Sequence, residues 1–125
     1  MTGVEKLLIV EDNPLIAAAI EKAGERLNLL ADFATDGWDA IEKLRSQEYV
    51  AIVIDTDLPR YSGYGVVTYL QEENGDALQN VVLITSADHA SVRQRTSENL
   101  RVIDKTEEVD DIAAALGHAP QNRLG

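Results

Sequence analysis

The stretch Tyr49-Val50-Ala51-Ile52-Val53-Ile54-Asp55-Thr56-Asp57-Leu58-Pro59 decides how the rest of the chain is read. Residues 50–54 are apolar without alternation, the pattern of a strand covered on both faces, as in the middle of a parallel sheet. The run stops at Asp55 and enters a turn. Three further runs stop the same way: Leu7-Leu8-Ile9-Val10 at Glu11-Asp12, Val81-Val82-Leu83-Ile84 at Thr85-Ser86, and Leu100-Arg101-Val102-Ile103 at Asp104-Lys105. If the strands are parallel neighbours, three carboxylates, a hydroxyl and an ammonium meet at one sheet edge. That set suits a divalent cation and a phosphoryl group in transfer.

Helical patterns fill the intervals. After a first strand over residues 6–10, Asn13 reads as an N-cap and Pro14 as the first helical residue, where its missing N–H costs nothing. Ile16, Ile20, Ala23 and Leu27 carry that helix to about Leu27. A weaker strand covers residues 29–34, and Asp36 caps a helix that buries Ala40, Ile41 and Leu44, with Trp38 half-buried near its start. Gly63 and Gly65 flank the next turn; Val66, Val67 and Leu70 begin a third helix that stops near Asn74-Gly75. Residues 88–99 offer only Ala90 and Val92 to a core, which predicts a short, poorly anchored helix. Thr106 caps a last helix with the apolar face Val109, Ile112, Ala113 and Leu116, ending at Gly117. Five strands alternating with five helices make an α/β three-layer sandwich, and right-handed crossovers put helices on both faces. Ligands of such sheets bind beyond the strand C-termini, where the strand order switches.

The composition narrows the function classes. A chain of 125 residues is one domain, large enough to bury roughly two-thirds of its unfolded surface. The domain is expected over residues 1–118, with 119–125 a tail or linker stump. Cysteine is absent, which excludes disulfides, thiolate nucleophiles and zinc-thiolate sites. No apolar run nears the ~20 residues of a membrane span, and residues 1–6 lack a signal-peptide pattern, so a cytoplasmic location is expected. A formal net charge of −11 argues against nucleic acid as a direct partner and for solubility.

Taken in order, the acidic pair Glu11-Asp12, Asp55 with Leu58-Pro59, Gly63 eight positions on, Thr85 and Lys105 make the chain resemble the receiver domain of bacterial two-component response regulators over nearly its whole length. The resemblance implies a flavodoxin-like fold with the five-stranded parallel sheet in order 2-1-3-4-5. It makes Asp55 a phosphoacceptor that takes its phosphoryl group from a sensor histidine kinase, a phosphotransfer protein or a small phosphodonor and then switches a partner or output domain. The protein would be a signalling phosphoacceptor rather than an enzyme, one that assists its own phosphorylation and dephosphorylation. Mg²⁺ is the expected cofactor, since crowded carboxylates repel and a hard cation with oxygen ligands relieves them. Asp12 and Asp55 are the direct ligands expected, with the backbone carbonyl of Asp57, and Glu11 acts through a coordinated water. Thr85 and Lys105 then stabilise charge on the phosphoryl oxygens.

Each residue also has a plainer reading. Glu11 and Asp12 suit a helix N-terminus, Thr85 a strand end, Lys105 a surface, and His89 and His118 solvated positions. Tyr61 and Tyr64 read as loop packing beside Asp55. The chain departs from the family at three places near its usual output face. Thr106 replaces the usual proline after the lysine, which would place Lys105 differently; Val102 replaces an aromatic; and the segment from Thr85 to Lys105 is short and apolar-poor. In the family, the strand-four hydroxyl moves toward the phosphoryl group. Two alternatives stand beside the receiver: a pseudo-receiver that only binds proteins, and a haloacid-dehalogenase-type phosphatase built on Asp55-Thr56-Asp57. The early acidic pair counts against the phosphatase.

Overall fold

The computed structural model describes residues 3–96, 100–105 and 108–117. Along the chain run β1 (Lys6–Val10), α1 (Pro14–Glu25), β2 (Leu30–Ala34), α2 (Gly37–Ser46), β3 (Ala51–Asp55) and α3 (Gly63–Glu73). A 3-10 helix (Gly75–Asn80), β4 (Val81–Thr85), α4 (His89–Arg95), β5 (Arg101–Asp104) and α5 (Val109–Gly117) follow. All strand pairs are parallel, in the order β2-β1-β3-β4-β5. The order reverses between β1 and β3, so the crevice above Val10 and Ile54 is where a ligand site belongs.

Strand alternation divides the core. Leu8, Val10, Ile52, Ile54, Leu83 and Val102 pack with Val66, Leu70 and Val92 on the face of α2, α3 and α4. Leu7, Ile9, Val53, Val82 and Ile84 pack with Ile20, Ala23, Ile112 and Leu116 on the face of α1 and α5. Every residue of β3 is buried, as expected of a strand covered on both sides. β2 is an edge strand, and its Asp32 is held by the Lys6 ammonium at 2.9 Å and the Tyr49 hydroxyl at 2.7 Å.

Local chemistry explains most boundaries. The Asn13 side chain accepts from the Leu15 and Ile16 amides, with Pro14 opening α1. That helix closes in a Schellman turn: Asn28 adopts a left-handed φ of 61°, and the Asn28 and Leu29 amides bond to Glu25 and Gly24 carbonyls at 3.0 Å. Asp36 caps α2 through the Asp39 amide at 2.8 Å. Several expectations need correction. Gly63 and Gly65 do not flank a turn; both lie inside α3, which Ser62 caps. Trp38 is not half-buried but 57% exposed, its ring resting on Tyr61 at 4.5 Å between centroids. The 3-10 helix over Gly75–Asn80, which buries Leu78, has no apolar periodicity that would announce it. α4 is short, as expected, but its fully buried Val92 is not its sole anchor: Arg93 donates to the Leu100 carbonyl at 3.1 Å and the Arg95 guanidinium lies 3.9 Å from the Tyr64 ring. His89 is likewise not simply solvated, since its Nε2 lies 3.4 Å from Asp104. The proposed Thr106 cap, His118 and the 119–125 tail fall outside the described residues. Among the described residues, no helix is long and apolar enough to cross a membrane.

Candidate functional site

The site is assembled by the sheet continuing slightly past its strands. The Glu11 amide bonds to the Ala34 carbonyl, the Thr56 amide to Ile84 and the Lys105 amide to Thr85, each at 3.0 Å. These extensions fix the backbone of each residue just beyond its strand, so the side chains converge without a long flexible loop. Gly63 adds a close approach: a Cβ there would lie 2.0 Å from the Asp55 carbonyl oxygen, so only glycine lets α3 start against β3.

Asp55 is wholly buried, and both its oxygens are engaged. Oδ1 accepts from the Asp57 amide at 2.8 Å and Oδ2 from the Lys105 ammonium at 3.0 Å. Lys105 thus reaches Asp55 with threonine, not proline, following it in the sequence. Burial draws the Lys105 pKa down, but the Asp55 carboxylate, through its hydrogen bond and charge, with Glu11 and Asp57 beyond, raises it overall. The ammonium is secure at neutral pH.

Glu11, Asp12 and Asp55 each offer a carboxylate oxygen within 4.8 Å of the others. Asp12 is exposed, whereas Glu11 is 3% exposed. One Glu11 oxygen accepts from the Asn13 amide at 3.1 Å, and the other is buried without a hydrogen-bond partner among the described residues. Burial, with the nearby Asp55 carboxylate, pushes the Glu11 pKa up to about 7. An orphaned oxygen on a buried acid beside two more carboxylates is what a hard divalent cation, directly or through its waters, would satisfy. The Asp57 side chain is exposed and outside this group; its amide serves the site.

Thr85 is fully buried at the end of β4. Its hydroxyl oxygen accepts from the Ala87 amide at 2.9 Å and from the Thr56 hydroxyl at 3.0 Å. Thr56, also buried, was not singled out in the sequence, although a β-branched hydroxyl following a buried aspartate is a visible signal. A second missed group is Arg60, a non-glycine residue at φ 64° whose guanidinium pairs with Asp36 at the start of α2. The Asp39 amide first, and then Arg60, hold the Asp36 carboxyl below its ordinary range. A Cβ on Gly37 would collide with the Tyr61 carbonyl, so the 56–62 loop sits directly on α2. Nothing in the spacing of Asp36 and Arg60 foretells that contact.

The chain is similar to known proteins in fold and in family. The fold is that of receiver domains: the response regulator TrrA of Thermotoga maritima, solved in complex with Mg²⁺-BeF, superposes with a TM-score of 0.81 at 20% identity, covering 94% of this chain and all of that one. The receiver domain of a Pseudomonas aeruginosa PAO1 sensor histidine kinase, solved with a magnesium ion in its active-site cleft, gives 0.79 at 21% identity over 94% of this chain and 98% of that one. Residues 7–120 match the response regulator receiver domain, and the chain belongs to that family. The transcriptional activator IrlR of Burkholderia pseudomallei (strain 1026b) is 27% identical over 93 residues, 74% of this chain and 39% of IrlR. This chain therefore spans about two-fifths of that relative.

Proposed function

We propose that Asp55 is the phosphoacceptor of this receiver domain and that Asp12, Asp55 and the Asp57 carbonyl bind Mg²⁺ with Glu11 acting through a coordinated water. The observation that carries the reading is the fully buried Asp55 carboxylate, which shares an acidic cluster with Glu11 and Asp12 and pairs with the Lys105 ammonium. An Asp55 oxygen attacks the phosphorus of the donor, forming the acyl phosphate, while the donor's bond to phosphorus breaks and its electron pair leaves with the donor. The cation, when bound, supplies positive charge to the phosphoryl oxygens. Lys105, already on Asp55, turns its ammonium to the same oxygens, and Thr85 donates its hydroxyl proton to one of them. Asp57 borders the path of an attacking water and tunes how long the phosphoryl group survives. The residues thus assist both gain and loss of the group without turning over a separate substrate.

The donor is a sensor histidine kinase, a phosphotransfer protein or a small acyl phosphate, and the recipient of the signal is an output domain or protein partner. The net charge of −11 disfavours direct contact with nucleic acid. A cytoplasmic protein would meet such donors. Incubation with acetyl phosphate and Mg²⁺ followed by intact-mass measurement tests the assignment. A labile gain of one phosphoryl group is expected; phosphate release without labelling would indicate a phosphatase, and no change a pseudo-receiver.

A further inference from the structure

The hydrogen bond between Thr56 and Thr85 has a consequence for switching. In β4, Leu83 packs on the α2–α3–α4 face and Ile84 on the α1–α5 face, so alternation returns Thr85 to the side of Leu83. Asp104, its register partner on β5, confirms the side by lying beside His89 of α4. In β3, Val53 belongs to the α1–α5 face and Ile54 to the other, so Asp55 falls on the parity opposite to Thr85, and Thr56 on the same parity as Thr85. The Thr85 hydroxyl is thus turned toward Thr56 and the Ala87 amide. To serve a phosphoryl group on Asp55 it must rotate away from both.

We propose that Thr56 is a positioning residue that latches Thr85 in this outward orientation and so sets how readily Asp55 takes a phosphoryl group. The latch rests on the reading of Asp55 as phosphoacceptor. Among the described residues, Thr85 is the sole hydrogen-bond partner of the Thr56 hydroxyl, and Thr56 is 3% exposed, so water does not replace that partner when Thr85 turns. A buried hydroxyl left unpaired opposes the turn. The Ala87 amide is surrendered by Thr85 in any variant, but its own residue is exposed and water can satisfy it. Thr56 is therefore the part of the restraint that residue choice controls.

Beryllofluoride with Mg²⁺, a stable phosphoryl mimic, tests this by titration calorimetry on the full chain. Thr56→Val keeps the shape and removes the hydroxyl, and it should bind the mimic about threefold to tenfold more tightly than wild type, the worth of one intramolecular hydrogen bond. Thr56→Ala is the second variant, with the same direction expected, and thermal unfolding verifies that each folds. Thr56→Ser retains the hydroxyl and should restore wild-type affinity. On a Thr85→Ala background the Thr56→Val change should have no effect, an outcome that a general loosening of the fold would not give. Unchanged or weaker binding by both hydroxyl-free variants, or equal strengthening without Thr85, overturns the latch. If wild type itself does not bind the mimic, the phosphoacceptor reading falls and the latch with it; if wild type binds, only the latch is at stake.

Discussion

Glu11→Gln separates the electrostatic cost of the site from its fold. Glu11 is almost fully buried and its pKa is lifted from an ordinary 4.5 to about 7, first by burial and then by Asp55, against the opposing pull of the Asn13 amide and Lys105. For an acid with a raised folded-state pKa, the folded protein holds the proton more tightly than the unfolded chain does. Below pH 4.5 the group contributes no penalty. As pH rises from there to about 7, the unfolded chain ionises first, and stability falls; above 7 the penalty is constant. At ~1.4 kcal/mol per tenfold change in proton affinity, the full penalty is about 3 kcal/mol. In a domain of this size that corresponds to a shift in Tm on the order of 10 °C. The lowered pKa values of Asp32 and Asp36 act in a different window, with stability lost as pH falls below 3.8, and leave this one clear. Thermal unfolding of metal-free protein between pH 4.5 and 8 measures the effect. Wild type should lose stability across that interval while Glu11→Gln stays nearly flat and is the more stable protein at pH 8. Mg²⁺ should recover much of the loss for wild type. Parallel pH profiles for the two proteins would refute the reasoning and mean that the buried oxygen of Glu11 is solvated.

Other expectations follow from the same geometry. Asp12→Ala should weaken Mg²⁺ binding, followed by calorimetry, far more than Glu11→Ala, because Asp12 is assigned a direct ligand position; equal losses would erase that distinction. Asp57→Asn should alter the dephosphorylation rate by more than a factor of ~3, under 1 kcal/mol in the barrier, and an unchanged rate would place its side chain off the water's path. Gly63→Ala should destabilise the fold by more than ~3 kcal/mol in denaturant unfolding, because its Cβ would fall 2.0 Å from the Asp55 carbonyl oxygen; a small loss would mean that α3 can retreat.

The strands and the convergence of the candidate residues at one sheet edge were legible because both depend on strong, local signals. Apolar runs of near-constant length, each ending in a polar residue, identify the strands, and the 2-1-3-4-5 order came with the family resemblance, not from periodicity. Asn13-Pro14 and Asp36 located two helix starts because capping is chemistry between near neighbours. What escaped depends on contacts between distant segments. Trp38 is apolar, which suggests burial, yet its ring caps Tyr61 from outside. Arg60 reaches back 24 positions to Asp36, and Thr56 pairs with Thr85 across 29; neither separation leaves a periodic trace. The sequence of α4 holds few apolar residues, which suggests a loose helix, while Arg93 and Arg95 fasten it through a carbonyl and an aromatic ring.

In the proposed function the buried Asp55 receives the phosphoryl group with the help of a divalent cation. Intact mass of wild type and Asp55→Asn after incubation with acetyl phosphate, with Mg²⁺ or with a chelator, measures this directly. One labile phosphoryl group on wild type, present only with Mg²⁺ and absent from Asp55→Asn, is the predicted result. Equal labelling of the two proteins, or labelling indifferent to the chelator, would contradict it.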